Sequence, residues 1–312
     1  MSINVIRPGL FSFFQDTGRV GFQHWGVPVN GAMDQDAHAL ANLLVGNPTT
    51  AATLEMTIQG PVLCFQAKAL IALAGADLGA RLNGAALKPG QAVCIKPGAV
   101  LRFEKREYGA RAYLAVSGGY LLTPVMNSSS TYSRGGFGGL CGRALKAGDV
   151  IPICSSFANP PRLNIPSGLL VGERTSPVLI RVLHGREWPD FSEAARHAFL
   201  TEPYAMTAAS DRMGYRLEGA GLELTQPKQL LSQSVAFGTV QVPAGGQPIV
   251  LMADRQTTGG YPRIAQVASV DLPRLAQLMP GDEVRFVLID LPMAQQLLVT
   301  RARTLKRLEA AH

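Results

Sequence analysis

Long apolar runs are missing from this chain. No stretch approaches the ~18 residues that a membrane-spanning helix requires, so no membrane span is expected. Charge is sparse as well: Asp, Glu, Lys and Arg make up 16% of the 312 residues. Cysteine is rare. The four, at positions 64, 94, 141 and 154, include no C-x-x-C pair, which removes zinc-ligand spacing, so no zinc site is expected. Free thiols in a reducing compartment are the plain reading. The opening Met-Ser-Ile-Asn-Val-Ile-Arg has neither the basic start nor the apolar core of a secretory signal, and a soluble, cytoplasmic protein is expected. Two phosphate-binding patterns, G-x-G-x-x-G and G-x-x-x-x-G-K-[ST], are absent, so any ATP contact must use another geometry. There is no G-x-S-x-G. The histidines, 24, 38, 184, 197 and 312, fall outside the strong motifs, which argues against a Ser-His-Asp hydrolase.

Gly (33) and Pro (21) are plentiful, and 47% of residues are hydrophobic. That composition favours many short strands and turns, in a chain long enough for two domains. The net charge of +7 suits an anionic ligand or an acidic partner. The basic residues are scattered and no recognition motif accompanies them, so nucleic acid is not expected as a partner.

The chain centres on residues 252–263, Met-Ala-Asp-Arg-Gln-Thr-Thr-Gly-Gly-Tyr-Pro-Arg. The apolar run from Pro248 reads as a buried strand that delivers Asp254, Arg255, Gln256, Thr257 and Thr258 at its end. Gly259-Gly260 would then permit backbone shapes closed to other residues, and Pro262 stiffens the exit. Such a polar cluster at a strand end suits a site; a turn bonded only to itself is the alternative.

In the first half, Ile3–Arg7 alternates like an edge strand. Asp16 and Gly18 suit a tight turn from which Arg19 projects. Asp34 stands where a helix N-cap belongs, before a helix carrying Ala37, Leu40, Ala41, Leu43 and Leu44 on one face; cap and ligand are both open to it. Strands follow over residues 54–58, leaving Glu55 turned away from its apolar neighbours, and over 70–74, ending at Gly75. Others cover 92–95, 100–103 and 111–116. Residues 158–166 are proline-rich and read as a linker. In the second half, strands are expected at 178–183, 238–242, 249–252, 264–268 and 283–289. Asp190-Phe-Ser-Glu193 reads as a capping box for a helix to Leu200. Asp271 is expected to cap a helix over 272–279, and a last helix runs from about Met293 to Leu308.

The halves echo each other. Gly18-Arg19-Val20-Gly21-Phe22 resembles Asp211-Arg212-Met213-Gly214-Tyr215. Val116-Ser117-Gly118-Gly119-Tyr120 resembles Thr257-Thr258-Gly259-Gly260-Tyr261, and Ala147-Gly148-Asp149-Val150 resembles Pro280-Gly281-Asp282-Glu283-Val284. Three matches in one order predict a duplicated β-rich unit, with polar loops near the junction of its copies. Arg19 and Arg212 would either face one anion or tie down their own loops.

Taken together, these motifs resemble the KipA-like family, also called allophanate hydrolase subunit 2 or the biotin-dependent carboxyltransferase family. The resemblance covers almost the whole chain. It rests on Gln15-Asp-x-Gly-Arg19, Gly31-Ala-Met-Asp34, Ala41-Asn-Leu-Leu-Val-Gly-Asn47, Leu54-Glu55 and Tyr113-Leu-Ala-Val-x-Gly-Gly119. It continues through Arg212-Met-Gly-Tyr-Arg-Leu217, Gln241-Val-Pro243, Pro248-Ile-Val-Leu-Met252, Gln256-Thr-Thr-Gly-Gly-Tyr-Pro-Arg-Ile-Ala265 and Pro280-Gly-Asp282. Two loops depart from the family pattern. Gly185-Arg186-Glu187 stands where members often have Gly-Pro-Glu, and Asn127-Ser-Ser-Ser-Thr131 stands where Gly-Ser-x-Ser-Thr is usual.

The resemblance implies a mainly β fold of two duplicated cyclophilin-like β-barrels, residues 1–157 with the longer insertion and 167–312 with a C-terminal helix. It implies an ATP-dependent opening of 5-oxo-L-proline to L-glutamate, performed by a multi-subunit 5-oxoprolinase whose B subunit binds this chain directly and whose A subunit completes the assembly. ATP, on this chain or on a partner, and magnesium are then the expected cofactors. A lactam is a resonance-stabilised amide, so its activation calls for cations, oxyanion donors and a base for water. The catalytic candidates are Asp254, Gln256, Thr257, Tyr261 and Arg212. The substrate-binding candidates are Arg19, Asp16, Asp34, Glu55 and Arg263. Within these sets, Arg19, Arg212 and Arg263 would supply charge, Gln256, Thr257 and Tyr261 hydrogen bonds, and Asp254, Asp34 or Glu55 a base or a magnesium ligand. One alternative is the carboxyltransferase half of a biotin-dependent urea or amide carboxylase. Since no Met-Lys-Met is present to receive biotin, that reading needs a carrier elsewhere. Another is a non-enzymatic regulatory module paired with a kinase inhibitor.

Overall fold

The computed structural model describes residues 1–154, 163–172 and 176–310. Residues 158–162 of the expected linker lie outside them. The chain forms two compact units: Met1–Arg19, Asn30–Glu173 and Thr304–His312 in the first, and Val20–Val29 with Arg174–Arg303 in the second. Both are mainly β. No helix among the described residues is long and apolar enough to cross a membrane.

The first unit begins with β1 (Ser2–Arg7), β2 (Phe11–Gln15) and α1 (Gln35–Leu44). Then come β3 (Thr53–Thr57), β4 (Val62–Phe65), β5 (Ala69–Asp77), β6 (Ala80–Leu82) and β7 (Ala85–Ala86). Finally come β8 (Gln91–Ile95), β9 (Val100–Phe103), β10 (Tyr108–Val116) and β11 (Val150–Pro152). They make two sheets, of order β11-β1-β4-β9-β6-β7 and β2-β3-β10-β5-β8. The second sheet is buried on both faces, which explains the unbroken apolar run of β5. Ile71, Leu73, Leu114 and Val116 point into a core shared with Ile3, Leu63, Phe65 and Leu101. Leu70, Ala72, Ala74, Tyr113 and Ala115 point the other way, against Ala37, Leu40, Ala41 and Leu44 of α1. Glu55 faces this second layer, opposite Tyr113, and is fully buried.

Strand β5 does not stop at Gly75. That residue takes φ +92°, and a Cβ there would stand 2.5 Å from the Arg111 carbonyl. The pairing of β5 with β10 shifts register between Tyr108 and Ala112, so the glycine marks a bulge inside a longer strand.

The second unit contains β12 (Val178–His184), α2 (Glu193–Thr201), β13 (Tyr204–Met206), β14 (Gly214–Glu218), β15 (Gln233–Ser234) and β16 (Thr239–Gln241). It continues with β17 (Ile249–Leu251), β18 (Thr258–Gly259), β19 (Arg263–Val267), α3 (Leu272–Ala276) and β20 (Glu283–Leu288). Seven of these strands close a barrel, β12-β19-β16-β17-β14-β13-β20, completed by the parallel pairing of β20 with β12. Phe199 of α2 stacks on Phe286 of β20 at 4.5 Å. The last helix, α4 (Leu291–Ala310), starts where Asp290 Oδ1 accepts from Met293 N at 2.9 Å.

Two expected caps are not caps. Ser192, not Asp190, receives Ala195 N at the start of α2; Asp190 closes a preceding 3-10 turn and accepts from Lys228 Nζ at 2.7 Å. Asp271 precedes α3 without capping it. Its fully buried carboxylate accepts Arg181 N and Nε instead, both at 2.8 Å. Asp34 does cap α1, accepting Ala37 N at 2.9 Å.

Candidate functional site

The polar loop of the second unit is held at both ends. It leaves β17 through Met252, whose N donates to Met213 O at 2.9 Å, and Asp254 N donates to Arg212 O at 2.8 Å. Its return passes through β18, paired with β15, and enters β19 at Arg263. Gly259 and Gly260 both lie outside the left-handed region. The constraint at Gly259 is room: a Cβ would meet Gln241 Nε2 at 2.6 Å.

Two ion pairs brace this loop. Arg212 grips Asp254 through Nε–Oδ2 and Nη2–Oδ1 contacts of 2.9 Å each, with both residues buried. Arg263 grips Glu187 through Nε–Oε2 and Nη2–Oε1 contacts of 2.8 Å each. Burial works to raise the Glu187 pKa, but the bonds from Arg263 outweigh it and hold the carboxyl below its ordinary value. Gln233 Oε1 joins the cluster, accepting from Arg263 Nη2 at 2.9 Å and from Arg186 Nη1 at 2.7 Å. The departure at Gly185-Arg186-Glu187 therefore adds a cation to this corner.

The candidates in the first unit are built into its interior. The Asp16 carboxylate accepts from Ser128 Oγ at 2.7 Å, Ser130 Oγ at 2.6 Å, Ser129 N at 2.6 Å and Gly18 N at 2.8 Å. The serines of the second departing loop thus fasten it to the end of β2. Arg19 is buried, donates to Asn30 Oδ1 and the Ser130 carbonyl, and lies 4.9 Å from the Phe137 ring centre. Glu55 Oε2 accepts from Tyr113 Oη at 2.8 Å and Met33 N at 3.0 Å. Asp34 N donates to the same Tyr113 oxygen at 2.8 Å. Burial raises the Tyr113 pKa well above its ordinary value, and the Glu55 and Asp34 charges add to the effect; the phenol remains a donor. Asp16 with Arg19, and Asp34 with Glu55, form two local networks. The echoed segments share an Asx turn, since Asp211 Oδ1 accepts Met213 N at 2.8 Å as Asp16 accepts Gly18 N.

Gln256 and Thr257 differ from these. They line a hollow of about 480 Å³ together with Arg255, Thr258, Ser234 and Val235 and with Gln23, His24, Gly26, Pro28 and Val29. All of these residues belong to the second unit. The Gln256 and Thr257 side chains make no hydrogen bond among the described residues. Tyr261 lies further along the loop. It borders an apolar hollow of about 730 Å³ and, with Arg263 and Glu187, a smaller one of about 290 Å³.

Two residues of the 480 Å³ hollow with acid–base or charged side chains, His24 and Arg255, stand outside the catalytic and substrate-binding candidates read from the sequence. His24, exposed and 4.4 Å from the Trp25 ring centre, is the only imidazole or carboxylate in its lining. Arg255 lies in the central motif, but nothing in the motif tells which of Arg212, Arg255 and Arg263 faces a carboxylate. Burial pushes the Arg255 guanidinium pKa below its ordinary value against the pull of Asp254, and an arginine stays charged under such a shift.

Comparison with known proteins agrees with this architecture. The model of the carboxyltransferase domain, subdomain A and B, matches residues 25–288. The C subunit of 5-oxoprolinase from Escherichia coli K12 is 43% identical over 285 residues, which cover 91% of this chain and 90% of that protein. The C subunit of the Haemophilus influenzae 5-oxoprolinase is 36% identical over 91% of this chain and 90% of its own length. Among solved structures, the K. lactis urea amidolyase superposes with a TM-score of 0.92 at 30% identity, over 98% of this chain and 20% of the much longer enzyme. By this match, and by identity running the length of its bacterial relatives, the chain belongs to the carboxyltransferase subdomain A and B family, alongside the C subunits of 5-oxoprolinase.

Proposed function

We propose that this chain is the C subunit of an ATP-dependent 5-oxoprolinase, which opens 5-oxo-L-proline to L-glutamate in the cytoplasm, with the B subunit in direct contact and the A subunit completing the complex. The observation that carries the reading is the 43% identity to a protein of that name across nine-tenths of both chains. The hollow beside the Met252–Arg263 loop supplies the chemistry. Gln256 and Thr257 offer uncommitted donors to a lactam oxygen as charge develops on it. His24, the imidazole in the lining of the same hollow, is suited to drawing a proton from attacking water. Arg212, Asp254, Arg263 and Glu187 position the loop, and Tyr261 borders the neighbouring hollows.

Magnesium-bound ATP fits these residues poorly. Magnesium takes about six oxygen ligands in octahedral geometry. The Asp16, Glu55, Asp254 and Glu187 carboxylates are engaged by donors of their own unit, and no group of three metal-ligating side chains occurs among the described residues. We therefore assign ATP and its metal to another component of the complex. The part of this chain is to hold the lactam ring and direct water to it.

The test is reconstitution. Purified chain mixed with the A and B subunits should give 5-oxoproline-dependent ATP hydrolysis and glutamate, with neither product when this chain is omitted. Gln256→Ala and Thr257→Ala should lower turnover without dissociating the complex. The second reading, the carboxyltransferase half of a urea or amide carboxylase, draws on the close superposition with urea amidolyase. Urea-dependent consumption of carboxybiotin from a carrier protein, with no glutamate formed, would favour it.

A further inference from the structure

We propose that Arg255 anchors the carboxylate of an anionic cyclic-amide substrate in the 480 Å³ hollow. The inference rests on the 5-oxoprolinase reading for the identity of the amide, and on the geometry of the hollow for the anion. In the second unit, Arg212 is closed onto Asp254 and Arg263 onto Glu187. Arg255 has no such partner: no carboxylate of the described residues lies within ion-pairing distance of it. Its polar contacts are two long ones, Nε to the Val235 carbonyl at 3.5 Å and Nη1 to the Met252 carbonyl at 3.4 Å. The neighbouring carboxylate, on Asp254, is already taken by Arg212.

The guanidinium is nevertheless well placed. Its carbon lies 5.7 Å from the Phe237 ring centre, so an aromatic face supports it. It lines the hollow beside Gln256, Thr257 and Thr258. A half-buried cation lacking a counter-charge is electrostatically incomplete, and a planar guanidinium suits a carboxylate in particular because its donors match the two oxygens. In 5-oxo-L-proline the carboxylate is attached to the ring carbon next to the lactam nitrogen. Holding it at Arg255 would bring the amide toward Gln256 and Thr257, and would exclude neutral lactams that lack the anion. The arginines favoured by sequence are committed to bracing, and the one overlooked is available for binding.

The experiment compares Arg255→Gln and Arg255→Lys with the parent chain in the reconstituted complex, with 5-oxo-L-proline as substrate. The urea midpoint of each variant serves as a check on folding. In parallel, binding of 5-oxo-L-proline, of neutral 2-pyrrolidinone and of inorganic phosphate to the full chain is measured by ligand-observed NMR. Arg255→Gln should raise KM about 10- to 100-fold with a smaller fall in kcat, and Arg255→Lys should recover part of the loss. Binding of 2-pyrrolidinone should be weak and indifferent to the substitution. An unchanged KM in a folded variant overturns the anchor and leaves the 5-oxoprolinase reading intact. A parent complex without turnover, whose chain still binds small carboxylates through Arg255, keeps the anchor and removes that reading. Binding of phosphate in place of carboxylates overturns the proposal. If Arg255→Gln does not fold, the KM of Arg255→Lys, which keeps charge and stem, decides in the same way.

Discussion

Arg212 and Asp254 meet through two parallel hydrogen bonds of 2.9 Å, and both residues are buried. Asp254 N also donates to the Arg212 carbonyl, so backbone and side chains together fix the start of the polar loop to the turn before β14. The residues that the sequence offers as base and cation neutralise each other.

Removing one partner should therefore be costly. Asp254→Ala leaves a buried guanidinium without its carboxylate, and a loss of about 3–5 kcal/mol is expected. The double substitution Arg212→Met with Asp254→Leu should lose less than the single change. Both tryptophans, Trp25 and Trp188, belong to the second unit, so tryptophan fluorescence during urea denaturation reads out its stability. Turnover per folded molecule separates bracing from catalysis: a folded Asp254→Ala complex with parent turnover would strike Asp254 from the catalytic candidates.

Asp16 should behave alike in the first unit. Asp16→Asn removes the charge and turns one acceptor into a donor, facing two hydroxyls and two backbone N–H groups. A destabilisation of about 2–3 kcal/mol is expected from these charge-assisted bonds. Ser130→Ala removes one of them and should cost less. Circular dichroism is the suitable readout, because this unit contains neither tryptophan.

How far the sequence could be read follows from the range over which each residue finds its partner. Asp34 was legible as a cap because its donor, Ala37 N, is three residues on. Asp271 looked the same locally but is claimed by Arg181 from 90 residues away, and Asp190 by Lys228. The strand pattern carried the β class and most elements, since burial on one or two faces is printed in every segment. It did not carry Gly75, because an apolar strand interrupted by glycine reads locally as a strand that ends. In the site, the motif located the loop. Which arginine was braced and which left open was decided by Glu187, 76 residues before Arg263, and no local pattern holds that information.

Gly75→Ala tests the bulge. The backbone there has φ +92°, and the added Cβ would stand 2.5 Å from the Arg111 carbonyl and 3.2 Å from the Ala37 Cβ. Left-handed strain of about 1–3 kcal/mol adds to overpacking of similar size. The expected outcome is a loss of about 3 kcal/mol or more in the first unit. A variant as stable as the parent would mean that β5 and β10 can slide to relieve the contact.

His38 should make the first unit sensitive to mild acid. It is buried on α1, with Nδ1 2.8 Å from Thr53 Oγ1. Burial lowers its pKa to about 4, against the opposing pull of Asp16, Glu55 and the Thr49 backbone. The unfolded chain takes up this proton near pH 6.5, while the folded chain refuses it until about pH 4. Through that window the unfolded state binds more protons, so stability falls as pH is lowered. The contribution approaches about 3 kcal/mol at the acid end, at 1.36 kcal/mol per pKa unit. Between pH 6.5 and 5, above most carboxylate titrations, the urea midpoint of the parent should fall with acid. His38→Asn, which cannot titrate, should lose most of that slope whatever its own stability; an equal slope in the variant would place the acid-sensitive group elsewhere.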